Sequence, residues 1–351
     1  MLFRRPDPHR ALSLALQGGG AHGAFTWGVL DALLEDGRFC FDGLSGSSAG
    51  AMNAVAVAHG LARGGNDHAR ETLARFWSRV GRALPGEVGS AVSAGGSDSS
   101  RGVNMMLLWS QWFSPYQFNP LDINPLRSIV EELFDFERIR DASQVRLFVA
   151  ATHADSGQLR LFSNHDVSAD ALLASACLPM LHHAIVIDGE PYWDGGYSAN
   201  PAVFPLIRSC RSDDILLVLL AQRAHAQTAR TAEDIRQRTA DFGFNSAFLC
   251  EMRLLALARE MARGRALLRG NLERRLLASR FHVIDAQPLL SGLDASTRIL
   301  AHEPFLERLR DAGRESATTW LARSGEGVGR RSTVDMDTMF GTHGRLTAAE
   351  G

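Results

Sequence analysis

The chain alternates short apolar runs with amphipathic or small-residue stretches, and that order predicts a mainly parallel sheet with helices on both faces. Residues 11–16 form the first apolar run. It is too short for a helix and is followed by three glycines, so it predicts a buried strand. A helix over residues 24–35 follows, then a short strand at 39–44 and an Ala/Val-rich helix reaching about 59. Runs at 145–152, 159–163, 185–187 and 215–221 predict further strands, with a helix over 170–177 between them. The last of these runs completes the same sheet, and the fold class is α/β.

Three connections in this pattern carry residues suited to catalysis. After the first strand comes Gly18-Gly19-Gly20-Ala21-His22-Gly23, whose glycines let backbone amides approach a ligand oxygen closely. After the second comes Gly46-Ser47-Ser48-Ala49-Gly50. A strand that turns sharply into a helix exposes the central Ser48, and Gly46 and Gly50 allow the strained backbone and tight packing that such a turn needs. The helix starting at Ala49 presents unpaired N–H groups to an oxygen that becomes negative during attack. Ser48 is therefore the candidate nucleophile, with Gly18, Gly19, Gly20 and Ala49 as candidate oxyanion donors. A base is supplied by the strand-turn-strand pattern over 184–193, which ends in Asp194 followed by Gly195 and Gly196. A carboxylate at a strand end, flanked by glycines, can approach another loop closely.

These segments in this order resemble a bacterial patatin-like phospholipase, a family marked by a Gly-x-Gly-x-x-Gly loop, a Gly-x-Ser-x-Gly turn and a later Asp-Gly-Gly. Ala174-Ser175-Ala176-Cys177-Leu178-Pro179 is similar to a further segment of that family. The resemblance covers roughly the first 60% of the chain. It implies a three-layer α/β/α catalytic domain over residues 12–222, a Ser48–Asp194 dyad, and structural roles for Gly23, Gly46, Gly50, Gly195 and Gly196. The implied activity is hydrolysis of carboxyl esters of lipids, with phospholipid as substrate. Where the family often carries Arg or Lys in the glycine loop, this chain has His22, which reads as a polar residue packed beside the turn.

Other readings use parts of the same pattern. A lone glycine loop after a strand also suits a nicotinamide-dependent oxidoreductase, with Asp42 at the right distance to meet a ribose. A lipid-binding or scaffold protein could keep the motifs without turnover. A Ser-His-Asp triad would need His282, yet Ser48 comes too early for the usual strand order of that architecture. The dyad is the expected arrangement, and Asp194 must then take the serine proton directly, which requires a partly desolvated carboxyl and a strong oxyanion hole.

Composition narrows the class further. The 351 residues are 45% hydrophobic with a formal net charge of −2, enough for a large core and without the basic excess of a nucleic-acid binder. The chain contains no Lys, which removes Schiff-base chemistry and a phosphate-loop lysine, so no cofactor is implied. No metal-ligand spacing occurs. Cys40, Cys177, Cys210 and Cys250 are widely spaced and read as buried thiols in a reducing compartment. The N-terminal residues do not resemble a secretion signal and no run is long enough to span a bilayer. The expectation is a cytoplasmic enzyme, with peripheral contact at the inner membrane surface.

Residues 85–120 combine a Gly/Ser-rich mobile loop with an apolar insert, Met105 to Phe113, that suits either a lid or a core helix. Residues 223–323 read as an Arg-rich helical extension with a return strand near 281–284. Its Arg253 to Arg275 stretch suits an inward leucine stripe with a solvated basic face, ahead of docking on anionic lipid. Residues 324–351 are rich in Gly, Thr and Ser and predict a disordered tail.

Overall fold

The computed structural model describes residues 11–83, 114–221, 228–264, 270–293, 295–299 and 301–340. The chain runs β1 (Ala11–Leu16), α1 (Gly23–Asp36), β2 (Cys40–Ser47), α2 (Ala49–Gly64), α3 (Asn66–Arg82), α4 (Pro115–Phe118), α5 (Pro125–Leu133) and α6 (Phe136–Ala142). It continues through β3 (Arg146–His153), β4 (Leu159–Ser163), α7 (Ala169–Ser175), β5 (Ile185–Ile187), β6 (Glu190–Asp194), α8 (Phe204–Ser209) and β7 (Asp214–Leu219). Last come α9 (Ala232–Arg263), α10 (Asn271–Ala278), β8 (Arg280–Asp285), α11 (Gln287–Leu290), α12 (Glu303–Ser324) and α13 (Met336–Phe340).

The strands form one sheet along the path β5-β6-β3-β2-β1-β7-β8, with β4 also paired to β3. From β3 through β8 on this path every pairing is parallel, so β1, β2, β3 and β7 end at the same edge. Because side chains alternate along a strand, β7 feeds two cores. Leu216 and Val218 join one cluster with Leu12, Leu14 and Leu16, whereas Ile215, Leu217 and Leu219 join another with Phe248, Met252 and Phe281. Helices α1, α2, α3 and α12 cover the first face, and α8, α9, α10 and α13 the second. The expected three-layer α/β/α architecture is the observed one.

The chain beyond residue 223 is largely helical, but it is continuous with the catalytic layers. Strand β8 extends the sheet, and α12 buries Phe305, Leu306, Leu309, Ala317, Trp320 and Leu321 in the first core. Helices α1 and α12 pack at glycines: a Cβ on Gly28 would collide with the Arg310 carbonyl, and one on Gly313 with the Phe25 carbonyl.

Three expectations need correction. The leucine stripe points inward only in part: Met252 and Leu276 are buried and Leu249 and Leu255 pack against the core, whereas Leu257, Met261 and Leu272 are exposed. Nor do all its arginines form a solvated face. Arg259 turns inward to the carbonyl of Ser279 at 2.8 Å, and Arg275 on α10 reaches the carbonyl of Ile207 at 2.6 Å, so both satisfy groups at helix C-termini. Next, the tail is built into the fold as far as Phe340: Met336 and Phe340 are buried, and Phe340 packs edge-on to Phe248 at 5.8 Å. Composition hid this, because apolar residues at helical spacing sit among the small polar ones. Finally, only Cys177 and Cys210 are buried; Cys40 and Cys250 are exposed. The Met105 to Phe113 insert lies outside the described residues. Just after it, α4 starts at a capping box in which Ser114 N donates to Gln117 Oε1 at 2.9 Å.

The α1–α12 crossing yields a stability test. Gly28→Ala and Gly313→Ala should each lower unfolding free energy by about 1–3 kcal/mol, because two backbones must separate to admit a methyl group. Gly243→Ala, exposed on α9 with nothing within 4 Å of the added methyl, should instead stabilise by about 0.5–1 kcal/mol. Urea denaturation of the three variants measures both effects.

Candidate active site

Strand register brings the two proposed catalytic residues together. Ala150 pairs with Ser47 on one edge and Leu161 on the other, and Ala151 pairs with Asp194 and Arg160. Strand β4 pairs along one edge of β3 from Phe148 to Thr152, and β2 and β6 share the other edge in succession. They meet end to end, with Ser48 leaving one strand and Asp194 closing the other.

Ser48 is the N-cap of α2 with φ 53° and ψ −126°, a backbone conformation that few L-residues adopt. Its amide donates to Ser175, to the carbonyl at 3.1 Å and the hydroxyl at 3.0 Å. Two residues on, the Cys177 carbonyl accepts the Asp194 amide at 2.8 Å. The 175–177 segment thus holds Ser48 and the Asp194 carboxylate at a fixed separation. Below them, Ser45 donates to the Ala202 carbonyl at 2.6 Å and Ser47 to that of Ala199.

The glycines act mainly by their missing side chains. A Cβ on Gly18 would lie 2.6 Å from the Ser47 carbonyl and 2.9 Å from Ser48 Cβ, so the glycine turn rests on Ser48. A Cβ on Gly46 would meet Gly50 at 2.5 Å, while one on Gly50 would strike the Leu16 carbonyl, one on Gly23 the Ala49 Cβ, one on Gly195 the Ala150 carbonyl and one on Gly196 the Phe244 ring. Gly20 also needs its φ of 60°. The start of α1 is tied to α2 and α3 by buried Asn53, which donates to Gly23 O at 3.0 Å and accepts from Trp77 Nε1 at 2.9 Å.

Of the amides expected to face an oxyanion, that of Gly18 is already engaged, donating to Asn200 Oδ1 at 2.7 Å. Gly18 therefore anchors the turn. Gly19 and Gly20 follow it, and Ala49 opens α2 directly after Ser48. Sequence reasoning missed the polar residues behind the turn. Gln17 is buried and uses its full capacity: Nε2 donates to Asn200 O at 3.1 Å and Asn245 Oδ1 at 3.3 Å, and Oε1 accepts from the amides of Leu220 at 2.6 Å and Ala221 at 2.8 Å.

Asp194 is fully buried. Its Oδ1 accepts the Gly196 amide at 2.7 Å, while Oδ2 lacks a well-formed partner. Burial pushes its pKa up to about 7, against the opposing pull of the Gly196 amide and the Ser48 hydroxyl. The Ser48 contact is loose, close enough to favour the ionised carboxyl but short of full hydrogen-bond geometry.

Among the described residues no histidine takes the triad position. His282 lies within β8, opposite Leu216, with its nitrogens 3.0 Å from Asp214 Oδ1 and 3.0 Å from Thr333 Oγ1. His22 is buried with Nε2 2.8 Å from Thr297 Oγ1, and burial together with the Arg298 charge lowers its pKa to about 4, so it is neutral at pH 7. The ribose-binding alternative loses its acid as well. Asp42 sits near the start of β2, away from the glycine turn, and accepts the Ser212 amide at 2.8 Å. Among the described residues no three His, Cys, Asp or Glu side chains gather to hold a metal ion, and no helix is long and apolar enough to cross a membrane.

The buried carboxyl makes stability depend on pH. In the unfolded chain Asp194 ionises near 3.8, in the folded protein near 7, so between these values the folded state holds the extra proton. Stability contributed by this group is full below about pH 4 and falls as pH rises to about 7. Asp194→Asn should be more stable than the parent by a few kcal/mol at pH 8, with little difference at pH 4. The comparison is made between variants because half-buried Glu251, with its pKa pushed up to about 7 by desolvation, adds a background of the same sign. An equal stability difference at both pH values would contradict the assignment.

Residues 14–207 match the model of a family described as patatin-like phospholipase. Among solved structures the chain is similar to VipD from Legionella pneumophila, with 15% identity and a TM-score of 0.37 over 88% of this chain and 67% of that one. A search of curated proteins found no match.

Proposed function

This chain belongs to the patatin-like phospholipase family, and from that premise we propose that it hydrolyses carboxyl esters of phospholipids through a Ser48–Asp194 dyad. The observation that carries the reading is the junction of β2 and β6, where a serine on a strained strand-to-helix turn meets a desolvated carboxyl with a pKa of about 7. A carboxylate with the usual pKa is a feeble base, whereas one near 7 is matched to proton transfer at neutral pH.

In the proposed reaction Asp194 takes the proton of Ser48 as its Oγ attacks the ester carbonyl. Negative charge develops on the carbonyl oxygen, facing the amides of Gly19, Gly20 and Ala49 and the positive end of α2. Collapse breaks the bond to the alcohol, which leaves with the proton from Asp194, and Ser48 carries the acyl group. Water then attacks the acyl-serine as Asp194 takes its proton; collapse breaks the acyl bond to Ser48 Oγ, which regains the proton from Asp194, and the fatty acid is released. Peripheral contact with lipid is supported by exposed Leu121, Ile123, Met180 and Val186 on segments adjoining β5 and β6; Tyr116 of α4 stacks on His183 at 4.1 Å, joining these segments.

Ser48→Ala and Asp194→Asn should each reduce turnover of a short-chain phospholipid by at least about a thousandfold without unfolding the protein. His22→Gln should retain most activity. For the parent, kcat/KM should rise with pH through an apparent pKa of about 7 and then level, since the ionised carboxyl is the working form. Folded Ser48→Ala with near-normal turnover would overturn the nucleophile. A lipid-binding protein without turnover would show itself by leaving Ser48 unlabelled by a fluorophosphonate probe.

A further inference from the structure

The turn leaving α12 and returning beside β8 lies at the opposite end of the sheet from Ser48. Thr333 N donates to Phe281 O at 3.0 Å near the start of β8, whereas the catalytic junction lies where the parallel strands end. Arg323, Arg330 and Arg331 line a cavity there of about 510 Å³ together with Ser324, Ser332 and Thr333. A second cavity of about 260 Å³ shares Arg330 and Glu326 with it and adds Arg38.

The charges of this region are unevenly matched. Arg38 is held by Asp36, with Nη2 2.8 Å from the carboxylate, and also reaches Glu326 at 3.9 Å. Among the described residues Glu326 is the only acid lining either cavity. Arg323, Arg330 and Arg331 have no side-chain partner among the described residues, although their positive charges converge within nine positions of sequence. Like charges gathered on one wall raise the free energy of the empty site and lower it for an entering anion.

The backbone beneath these arginines is fixed. Gly329 N donates to Asp214 Oδ1 at 2.9 Å, Phe281 N donates to Ser332 Oγ at 3.1 Å, and Thr333 Oγ1 meets His282 Nδ1 at 3.0 Å. A turn so anchored presents its side chains at little further ordering cost. Guanidinium forks pair with phosphate oxygens two at a time, and a space of this size exceeds the needs of one inorganic phosphate while suiting a small organic ligand. We propose that this cavity binds a small anion bearing two or more phosphates, either free or as the head group of a lipid. The site stands apart from the dyad and does not depend on the hydrolase reading.

Calorimetric titration of the full chain with inorganic tripolyphosphate tests it. Binding should saturate at one site, weaken as salt is raised above about 0.15 M, and fall by at least about tenfold in Arg330→Gln/Arg331→Gln. These two side chains are exposed, and a matched thermal melt checks that the double variant is folded. Ser48→Ala should bind as the parent does, separating failure of this proposal from failure of the dyad. Flotation with phosphatidylcholine vesicles, with and without a phosphorylated phosphatidylinositol, distinguishes the sources. Arginine-dependent flotation competed by tripolyphosphate identifies a lipid head group, and tripolyphosphate binding without flotation identifies a free anion. Absence of tripolyphosphate binding, or equal binding by the double variant, would overturn the proposal.

Discussion

The active-site geometry depends on two residues that carry none of the proposed chemistry. Ser175 accepts the Ser48 amide and Cys177 accepts the Asp194 amide, so one short segment sets the gap between the ends of two strands. Neither strand could set it alone, since β2 and β6 do not pair with each other; each pairs with β3. The positive φ of Ser48 stores strain of about 1–3 kcal/mol, and such strain persists only where the surroundings over-determine it. Here the surroundings are the Ser175 acceptors on one side and the glycine turn, resting on Ser47 and Ser48, on the other.

The same close approach suits Asp194 to the proposed role of base. Gly195 lies against the Ala150 carbonyl and Gly196 against Phe244, leaving the carboxyl without solvent. A dyad lacks an imidazole to take the proton, so the carboxyl itself needs a raised pKa, and desolvation supplies the rise. Desolvation also penalises the ionised form in the folded state. Basicity and destabilisation at neutral pH are therefore one free energy viewed from two sides, and improved packing around Asp194 would increase both.

The strands were legible where apolar runs and turns coincided: the expected 159–163 and 185–187 are β4 and β5. Strand β2 runs past the expected end at Leu44 to Ser47, because Ser45 and Ser47 bury their hydroxyls on the Ala202 and Ala199 carbonyls, a polar solution invisible to a hydrophobic pattern. Ser48 and Asp194 announced themselves through their flanking glycines. Gln17, Asn53, Asn200 and Asn245 did not, since a single buried amide leaves no period in the sequence and its value lies in partners up to 228 positions away. The arginines of α9 and α10 were misread for a related reason: composition shows charge, but whether a guanidinium meets water or a helix-end carbonyl is decided by packing.

The match to the family ends at residue 207, yet the glycine turn is positioned by chain beyond it. Gly20 lies against the Arg298 carbonyl, and Gln17 is held by Leu220, Ala221 and Asn245. Asn200 transmits this support: its Nδ2 donates to Phe244 O on α9 at 3.2 Å while its Oδ1 receives the Gly18 amide at 2.7 Å. A displacement of α9 along its axis would therefore pull on Gly18 through one rigid amide, and on Gln17 through Asn245, before it reached Ser48. The helical third of the chain is thereby coupled to the amides that would receive the oxyanion, while the serine and the carboxylate keep their separation through the 175–177 segment. The same helix also reaches the carboxylate, because Phe244 packs against Gly196, whose amide donates to Asp194 Oδ1 at 2.7 Å, so one element bears on both the glycine turn and Asp194.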